Sequence, residues 1–290
     1  MTCPIILNFD RSVGEICHAK TIDFTQWQDA IRFGCTKKKF HQFNDVLQQS
    51  LPENHGTVLM GSGDYHHISL LLIENLAKQY SAENPIQVVI FDNHPDNMRY
   101  LFGIHCGSWV SYVASLPFVS HVHVLGITSH DIGLFHFWEN RWSALFHKKL
   151  TYWSLEVNVA WAKKIGLGHA FRHFATPDDL IASFLSEQYH SAQPVYLSID
   201  KDALSEDVIH TNWDQGKLQT YHILDTISSI KPRIIGSDIT GELSIWQPSN
   251  WFKRLLSSLD KQPTISPDKL INWQREQHQL NLTLLKALAV

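Results

Sequence analysis

Two apolar stretches of the sequence, QVVIF and PVYLSI, are each followed directly by acidic residues at alternate positions, and after QVVIF a histidine stands between the two acids in the same spacing. In extended backbone, residues two apart point to the same side, so each series is expected to converge on one point. Four aspartates gathered in this way would repel one another strongly unless cations neutralised them. The residues concerned are Asp92, His94, Asp96, Asp200 and Asp202.

The chemistry of this donor set indicates which metals would bind. Two divalent cations about 3.5–4 Å apart, sharing bridging carboxylates, would balance the four acids. A set of oxygens with imidazole and no thiolate favours manganese, with iron, cobalt or nickel as alternatives and zinc less suitable. We therefore expect a site for two Mn²⁺ ions.

A pair of histidines, His66 and His67, follows a third apolar stretch, TVLM, after the segment Gly61–Tyr65. Either imidazole could add a ligand to the expected metal site. The spacing of these residues leaves the choice between them open.

Apolar runs of strand length alternate with segments of helical period along the chain. This alternation predicts a mostly parallel sheet with helices on both faces, and ligands in such folds bind beyond the carboxyl ends of the strands. The predicted strands are Pro4–Phe9, Thr57–Met60, Gln87–Phe91, His121–Leu125, Pro194–Ile199 and Arg233–Ser237, and the predicted helices lie near Ile68–Gln79, His105–Ser115, Pro177–Tyr189 and Tyr221–Ile230 and from Ser266 onwards.

Composition excludes several classes of protein. With 44% hydrophobic residues the chain of 290 residues can bury a sizeable core, and we expect one domain over residues 1–290. A net charge of -4 without a basic stripe argues against nucleic-acid binding. The sequence lacks a long apolar span and a signal-peptide pattern at its start, and its four cysteines are scattered, which together favour a cytoplasmic, non-membrane protein.

Three motifs resemble, in the same order, those of the ureohydrolases, the family of arginase, agmatinase and formimidoylglutamase. Asp92–Asp96 resembles their D-A-H-x-D, Ser198–Leu204 resembles S-x-D-x-D-x-x-D-P, and Gly61–His67 is similar to G-G-D-H-S. The resemblance extends from about residue 57 to 245. It implies an arginase-like, three-layer α/β/α fold around an eight-stranded parallel sheet, with two Mn²⁺ ions bridged by a hydroxide. It also implies a homo-oligomer, since family members are often trimers or hexamers.

Carried over residue by residue, the resemblance makes the five motif residues and one of the two histidines metal ligands, with Asp96 also counted as catalytic. His105 resembles the family histidine that handles protons, although Cys106 replaces the glycine that usually follows it. Glu242 resembles the glutamate that pairs with the substrate guanidinium. Here Gly241 makes the spacing one residue longer, and Asp238 could take part instead.

The resemblance implies that hydroxide attacks a guanidinium carbon, that a histidine protonates the departing amine, and that urea is released. The segment Ile209–Gly216 departs from the family's glycine-rich loop, and Asn212, Trp213 and Asp214 within it could contact the substrate. That substrate would be a small guanidino compound or an arginine side chain within a peptide, which would become ornithine. The alternatives are a formimidoylglutamase-type amidine hydrolase, a single-metal deacetylase on the same fold, and a non-catalytic metal-binding relative.

Other polar residues receive a structural interpretation. His121 and His123 alternate along a predicted strand without a third ligand nearby, and we expect them at the surface. Asp131 and Glu139 are assigned to a helix and its packing.

Overall fold

A computed structural model describes residues 2–246 and 267–289 of the chain. Nine strands form one sheet, and they are β1 (Ile5–Asn8), β2 (Lys20–Asp23), β4 (Val58–Leu59), β5 (Ile86–Phe91), β7 (Val119–Ile127), β8 (Leu150–Leu155), β9 (Phe171–Phe174), β10 (Val195–Asp200) and β11 (Ile234–Thr240). Their order in the sheet is β2-β1-β4-β11-β10-β5-β7-β8-β9, and every neighbouring pair runs parallel. The predicted parallel sheet of about eight strands is thus confirmed, with one strand more.

Helices cover both faces of the sheet. In β5, Val88 and Ile90 belong to one core, whereas Val89 and Phe91 belong to the core on the opposite face. The helices are α1 (Gln28–Ile31), α2 (Lys37–Ser50), α3 (Ser69–Glu74), α4 (Val110–Ser115), α5 (Ser143–Phe146), α6 (Trp161–Lys164), α7 (Pro177–Gln188), α8 (Thr220–Ile230) and α9 (Pro267–Leu288). Residues of α2, α3 and α4 pack into the first core and residues of α7, α8 and α9 into the second, which makes the predicted three layers.

The start of one predicted helix differs in detail from the sequence prediction. His105 does not open a helix: it ends β6 (Ile104–His105), which pairs antiparallel with β3 (Gly34–Cys35). A 3-10 turn follows before α4 begins, because the imidazole of His105 accepts the amide of Gly107 and caps that turn. The predicted cap residue of the last helix, Ser266, lies outside the described residues.

The topology brings the three motifs to one edge of the sheet. Strands β5 and β10 are neighbours, with Phe91 paired to Ile199, so Asp92 and Asp200 leave the sheet side by side. Strand β4 lies two positions from β10, and a 3-10 helix over Gly63–Ile68 follows it. Polar side chains from three separate parts of the sequence therefore meet beyond the carboxyl ends of the strands.

The surface position expected for His121 and His123 is wrong for His123. His123 is buried on β7, where its ring lies 5.3 Å from that of Phe184 and accepts a hydrogen bond from Trp153. Helix α7 covers the strand on this face, which places His123 in the core, whereas His121 near the start of the strand is half-buried. Within the described residues, no helix combines the length and the apolar character needed to cross a membrane.

Candidate metal centre

Two clusters of carboxylates and imidazole share Asp92. Nδ1 of His66 lies 3.1 Å from Asp92 Oδ2 and 3.0 Å from Asp96 Oδ2. On the other side, Nδ1 of His94 lies 3.5 Å from Asp92 Oδ1 and 3.0 Å from Asp202 Oδ2. Within each cluster the possible ligand atoms lie within 4.8 Å of one another. Each oxygen of Asp92 therefore faces a different cluster, as in a carboxylate that bridges two cations.

Asp200 joins the first cluster, with Oδ2 at 3.4 Å from Nδ1 of His66. The structure thus brings together all five motif residues and His66. His67 is buried elsewhere, its ring stacked 5.8 Å from that of Phe40. The 3-10 backbone over Gly63–Ile68 explains the difference, because it turns consecutive side chains about 120° apart.

The motif side chains converge because the backbone turns after β5 and β10, and not because either strand continues in extended conformation. The backbone leaves β5 at Asp92, and Asp96 has a φ of +44°, in the left-handed region that aspartate tolerates better than most residues. After Asp200 the chain enters a 3-10 turn over Lys201–Ala203, and the amide of Asp202 in this turn donates to the carboxylate of Asp200. The indole of Trp109 donates to Asp96 Oδ2 at 2.7 Å and holds that carboxylate in place.

A buried chain of hydrogen bonds orients His66. Ser198 donates its hydroxyl proton to Asp238 Oδ1 at 2.7 Å, so its oxygen accepts from Nε2 of His66 at 2.9 Å. Tyr196 donates to the second oxygen of Asp238 at 2.7 Å. With the proton of the neutral ring on Nε2, the lone pair of Nδ1 points at the carboxylates.

His94 is oriented in the same manner from the solvent side. Its Nε2 lies 2.9 Å from Oδ1 of Asp214, an exposed side chain of the segment after β10. The hydrogen bond from His94 lowers the pKa of Asp214. Both imidazoles therefore turn Nδ1 toward the carboxylates, while the other nitrogen is held by a hydrogen-bond partner.

The pKa values show that burial and mutual repulsion oppose the ionisation of all four carboxylates together. Burial and the charge of Asp92 raise the pKa of Asp96 to about 7 and that of Asp202 to about 6. Burial and the charge of Asp202 raise the pKa of Asp200 well above its usual range. Burial opposes ionisation of Asp92 as well, but hydrogen bonds from His66 and His94 outweigh it and hold its pKa low. The protein groups alone do not stabilise four negative charges here.

These residues fit a pair of divalent cations. In the described part of the chain, His66 Nδ1 and Asp92 Oδ2 are buried and face each other at 3.1 Å. A proton on Nδ1 joins them in the metal-free protein, whereas a neutral His66 with its proton on Nε2 leaves two lone-pair atoms that a cation between them would satisfy. The ligand atoms are oxygens and imidazole nitrogens without a thiolate, which matches the preference of manganese and its neighbours.

The carboxylates form the floor of a cleft of about 280 Å³. His105 and Trp213 lie in its walls, and Tyr100 packs 5.1 Å from the ring of His105. Because Nδ1 of His105 accepts from the amide of Gly107 at 3.0 Å, the neutral ring carries its proton on Nε2. A histidine in this state can donate a proton within the cleft only after it has gained a second one.

Of the residues predicted to contact the substrate, Trp213 lines this cleft, whereas Asp214, Glu242 and Asn212 do not. Glu242 is buried, with Oε1 at 2.6 Å from Nζ of Lys201 and 2.6 Å from Nδ2 of Asn281. Asn212 is also buried and accepts the amide of Ser244 at 2.7 Å. Both side chains stabilise the loops behind the metal centre in this arrangement.

Several residues of the site were not found from the sequence. Asp131 and Glu139 lie in the wall of the cleft, in a loop with short 3-10 turns, and not in the predicted helix. Ser198 could have been found from the sequence, because it precedes Asp200 by two residues and therefore lies on the same face of β10. Trp109 acts through a tertiary contact that no local pattern indicates. Asp238, predicted only as an alternative to Glu242, instead accepts from Ser198 and Tyr196 behind His66.

Comparison with known proteins agrees with this geometry. The model of the Arginase family matches residues 7–240. An uncharacterized protein of Thermotoga maritima is 25% identical over 280 residues, which cover 96% of this chain and 82% of that protein.

Solved structures share the fold. The arginase of Bacillus subtilis has a TM-score of 0.54 at 13% identity, with 100% of this chain and 99% of that chain covered. The formiminoglutamase of Trypanosoma cruzi with Mn²⁺ has a TM-score of 0.53 at 10% identity, with 100% and 94% covered. The formimidoylglutamase of Bacillus subtilis has a TM-score of 0.52 at 16% identity, with 98% and 86% covered. At these identities the likeness speaks for the fold alone, and the family match carries the assignment: this chain belongs to the arginase family.

Proposed function

We propose that this protein is a manganese-dependent ureohydrolase that hydrolyses a guanidino C–N bond and releases urea. The observation that carries the proposal is Asp92, whose two oxygens face two separate imidazole–carboxylate clusters. A shared carboxylate supports a pair of ions and disfavours the single-metal deacetylase alternative. Two bound ions would supply hydroxide at neutral pH and offset negative charge on the reacting group.

The remaining chemistry is assigned to residues of the cleft. His105, once protonated on both nitrogens, donates a proton from Nε2 to the departing amine. In the neutral ring its Nδ1 accepts from the amide of Gly107, which fixes the orientation of the ring, and this hydrogen bond is released when Nδ1 gains the second proton. Trp213 forms a wall near His94, with ring centroids 5.9 Å apart, and limits the space beside the reacting carbon.

The far end of the substrate follows from the charge of the cleft. Among the described residues that line it, none is lysine or arginine, and Asp131 and Glu139 add negative charge. A free α-carboxylate, or the two carboxylates of a formimino-glutamate, would therefore meet no basic partner there. This charge balance supports a guanidino group whose far end carries no carboxylate.

The loops around the cleft expose large apolar side chains. Tyr100 and Glu139, which line the cleft, belong to the same two loops as these side chains. Clustered exposed apolar surface is typical of a site for a macromolecular ligand. Within the proposed ureohydrolase function, we therefore favour an arginine side chain in a peptide, converted to ornithine. The exposed fractions are 90% for Leu101, 66% for Phe102, 83% for Phe135 and 59% for Trp138.

The test is urea and formamide release by Mn²⁺-loaded protein from arginine, agmatine, guanidinobutyrate, formiminoglutamate and arginine-containing peptides. We expect urea, with kcat/KM highest for peptides and lowest for free arginine. Asp92→Ala serves as the inactive control. Higher kcat/KM for free arginine would overturn the peptide assignment, and absence of both products from the whole panel would overturn hydrolase activity itself.

A further inference from the structure

A buried arginine lies behind the cleft, outside all three sequence motifs. Arg32 follows α1 and is fully buried. Its Nε lies 2.5 Å from Oδ2 of Asp64, and its Nη1 lies 3.6 Å from Oδ2 of Asp10. An arginine side chain is rarely buried unless acidic partners balance its charge and accept its hydrogen bonds. The ion pair with Asp64 therefore indicates a specific role for Arg32.

The second oxygen of Asp64 reaches the wall of the cleft. Oδ1 accepts the indole Nε1–H of Trp213 at 3.0 Å. Indole has a single polar hydrogen, and its bond to a carboxylate is stronger and more directional than one to a neutral acceptor. Asp64 thus connects a buried guanidinium to an aromatic side chain beside the reacting atoms.

The next residue, Phe33, links the same unit to His105. Phe33 has a φ of +65°, which is rare for a bulky side chain and persists only where surrounding contacts enforce it. Its amide donates to the carbonyl of Asp64, and its carbonyl accepts the amide of Cys106. Its ring lies 5.8 Å from that of Trp213 and 6.4 Å from that of His105.

On the side of Gly63, the indole of Trp213 has little room to move to another position. A β-carbon on Gly63 would lie 3.0 Å from Oδ2 of Asp200 and 3.3 Å from the indole of Trp213. The indole is therefore confined between the backbone of Gly63 and the ring of Phe33, with its only donor held by Asp64.

We propose that Arg32, Phe33 and Asp64 are positioning residues that set the width of the cleft through Trp213. The Arg32–Asp64 ion pair keeps a carboxylate in place for the indole, and Phe33 holds the indole and the imidazole of His105 at a set separation. A flat guanidino group fits between the metal centre and such a rigid wall, and a mobile Trp213 binds it less well. The inference rests on the proposed function.

The substitution Asp64→Asn tests this directly. An asparagine has one acceptor oxygen and one NH₂ group, and Arg32 and Trp213 are both donors. The oxygen goes to the closer, charged Arg32, which turns the NH₂ group toward the indole and breaks its hydrogen bond. We expect KM for the guanidino substrate to rise about tenfold, with kcat nearly unchanged.

The matched control is Asp10→Asn, which removes the other carboxylate near Arg32 but does not touch Trp213. We expect a comparable loss of thermal stability with KM unchanged. Trp213→Phe keeps an aromatic wall and removes the donor together with part of the ring surface. It should raise KM as Asp64→Asn does, and the double variant should be no worse than either single one.

A second readout does not depend on turnover. The indole N–H signal of Trp213, assigned by its loss in Trp213→Phe, should exchange slowly with water in protein loaded with diamagnetic Zn²⁺ and rapidly in Asp64→Asn. Wild-type protein that released no urea would remove the proposed function but leave this measurement standing. Equal KM in Asp64→Asn and wild type, an equal rise of KM in Asp10→Asn and Asp64→Asn, or unchanged indole exchange in Asp64→Asn would each overturn the positioning role.

Discussion

The ammonium group of Lys201 lies 2.6 Å from Oε1 of Glu242, and both side chains are buried. Asn281 of α9 accepts from the same ammonium at 3.1 Å and donates to the same carboxylate. Although Lys201 stands between two predicted metal ligands in the sequence, its side chain turns to the C-terminal helix. The family resemblance implies that Glu242 binds a substrate guanidinium, whereas here an internal cation occupies that carboxylate.

We expect Glu242→Gln to lower the free energy of unfolding by about 3 kcal/mol, because Lys201 would keep a buried charge without a counter-ion. Guanidinium chloride unfolding measures this change. Replacing both partners, with Lys201→Met and Glu242→Leu, should restore most of the loss. If Glu242→Gln unfolded at the wild-type midpoint but released no urea, Glu242 would instead act on the substrate.

The sharing of Asp92 predicts an unequal loss of metal among three variants. Asp92→Ala should abolish binding of both ions, whereas Asp96→Ala or Asp202→Ala should leave at most one Mn²⁺ per chain, all three without activity. Elemental analysis of gel-filtered protein gives the stoichiometry. Two ions per chain in Asp96→Ala or Asp202→Ala would contradict the assignment of ligands.

The contact between His94 and Asp214 predicts a milder effect. Asp214→Asn removes the charged partner that orients the imidazole, and such partners typically change metal affinity about 10–100-fold. Titration of metal-free protein with Mn²⁺ should show one weakened site and one unchanged site. Glu206→Gln, an exposed change in the same segment, is the control and should bind as wild type does.

The sheet and most of the metal centre were predictable because their signals are local. An apolar strand followed by alternating aspartates specifies both a position in a parallel sheet and a donor set. The choice of His66 over His67 was not predictable, because it depends on a 3-10 turn in place of extended backbone. The strands β2, β8 and β9 also escaped prediction, and each needs its neighbour in the sheet to be stable.

The location of Glu242 depended on the whole fold. Gly241 has a φ of +91°, and a β-carbon there would lie 2.5 Å from Oδ1 of Asp200. This close approach turns the chain so that the next side chain, Glu242, points to Lys201. No pattern in the sequence joins residues 201, 242 and 281, nor residues 32, 64 and 213, because each set is assembled only by packing.

The histidine pair on β7, in which His123 is buried and His121 half-buried, predicts a loss of stability in mild acid. The rings of His121 and His123 lie 4.4 Å apart. Burial lowers the pKa of His121 to about 4, and burial with the charge of its neighbour lowers the pKa of His123 well below its usual value.

Unfolded histidine has a pKa of about 6.5, so between pH 6.5 and 4 the unfolded chain binds protons that the folded chain excludes. The contribution of the pair is therefore complete above pH 6.5 and declines as the pH falls toward 4. We expect a loss of at least about 3 kcal/mol across this window, which is the contribution of His121 alone. The comparison is guanidinium chloride unfolding at pH 7.5, 5.5 and 4.5 for wild type and for the variant His121→Gln/His123→Gln, in which glutamine keeps an acceptor for Trp153. Carboxylates titrate in both proteins, so the difference isolates the histidines, and parallel declines in the two proteins would show that neutral burial of these rings does not govern acid stability.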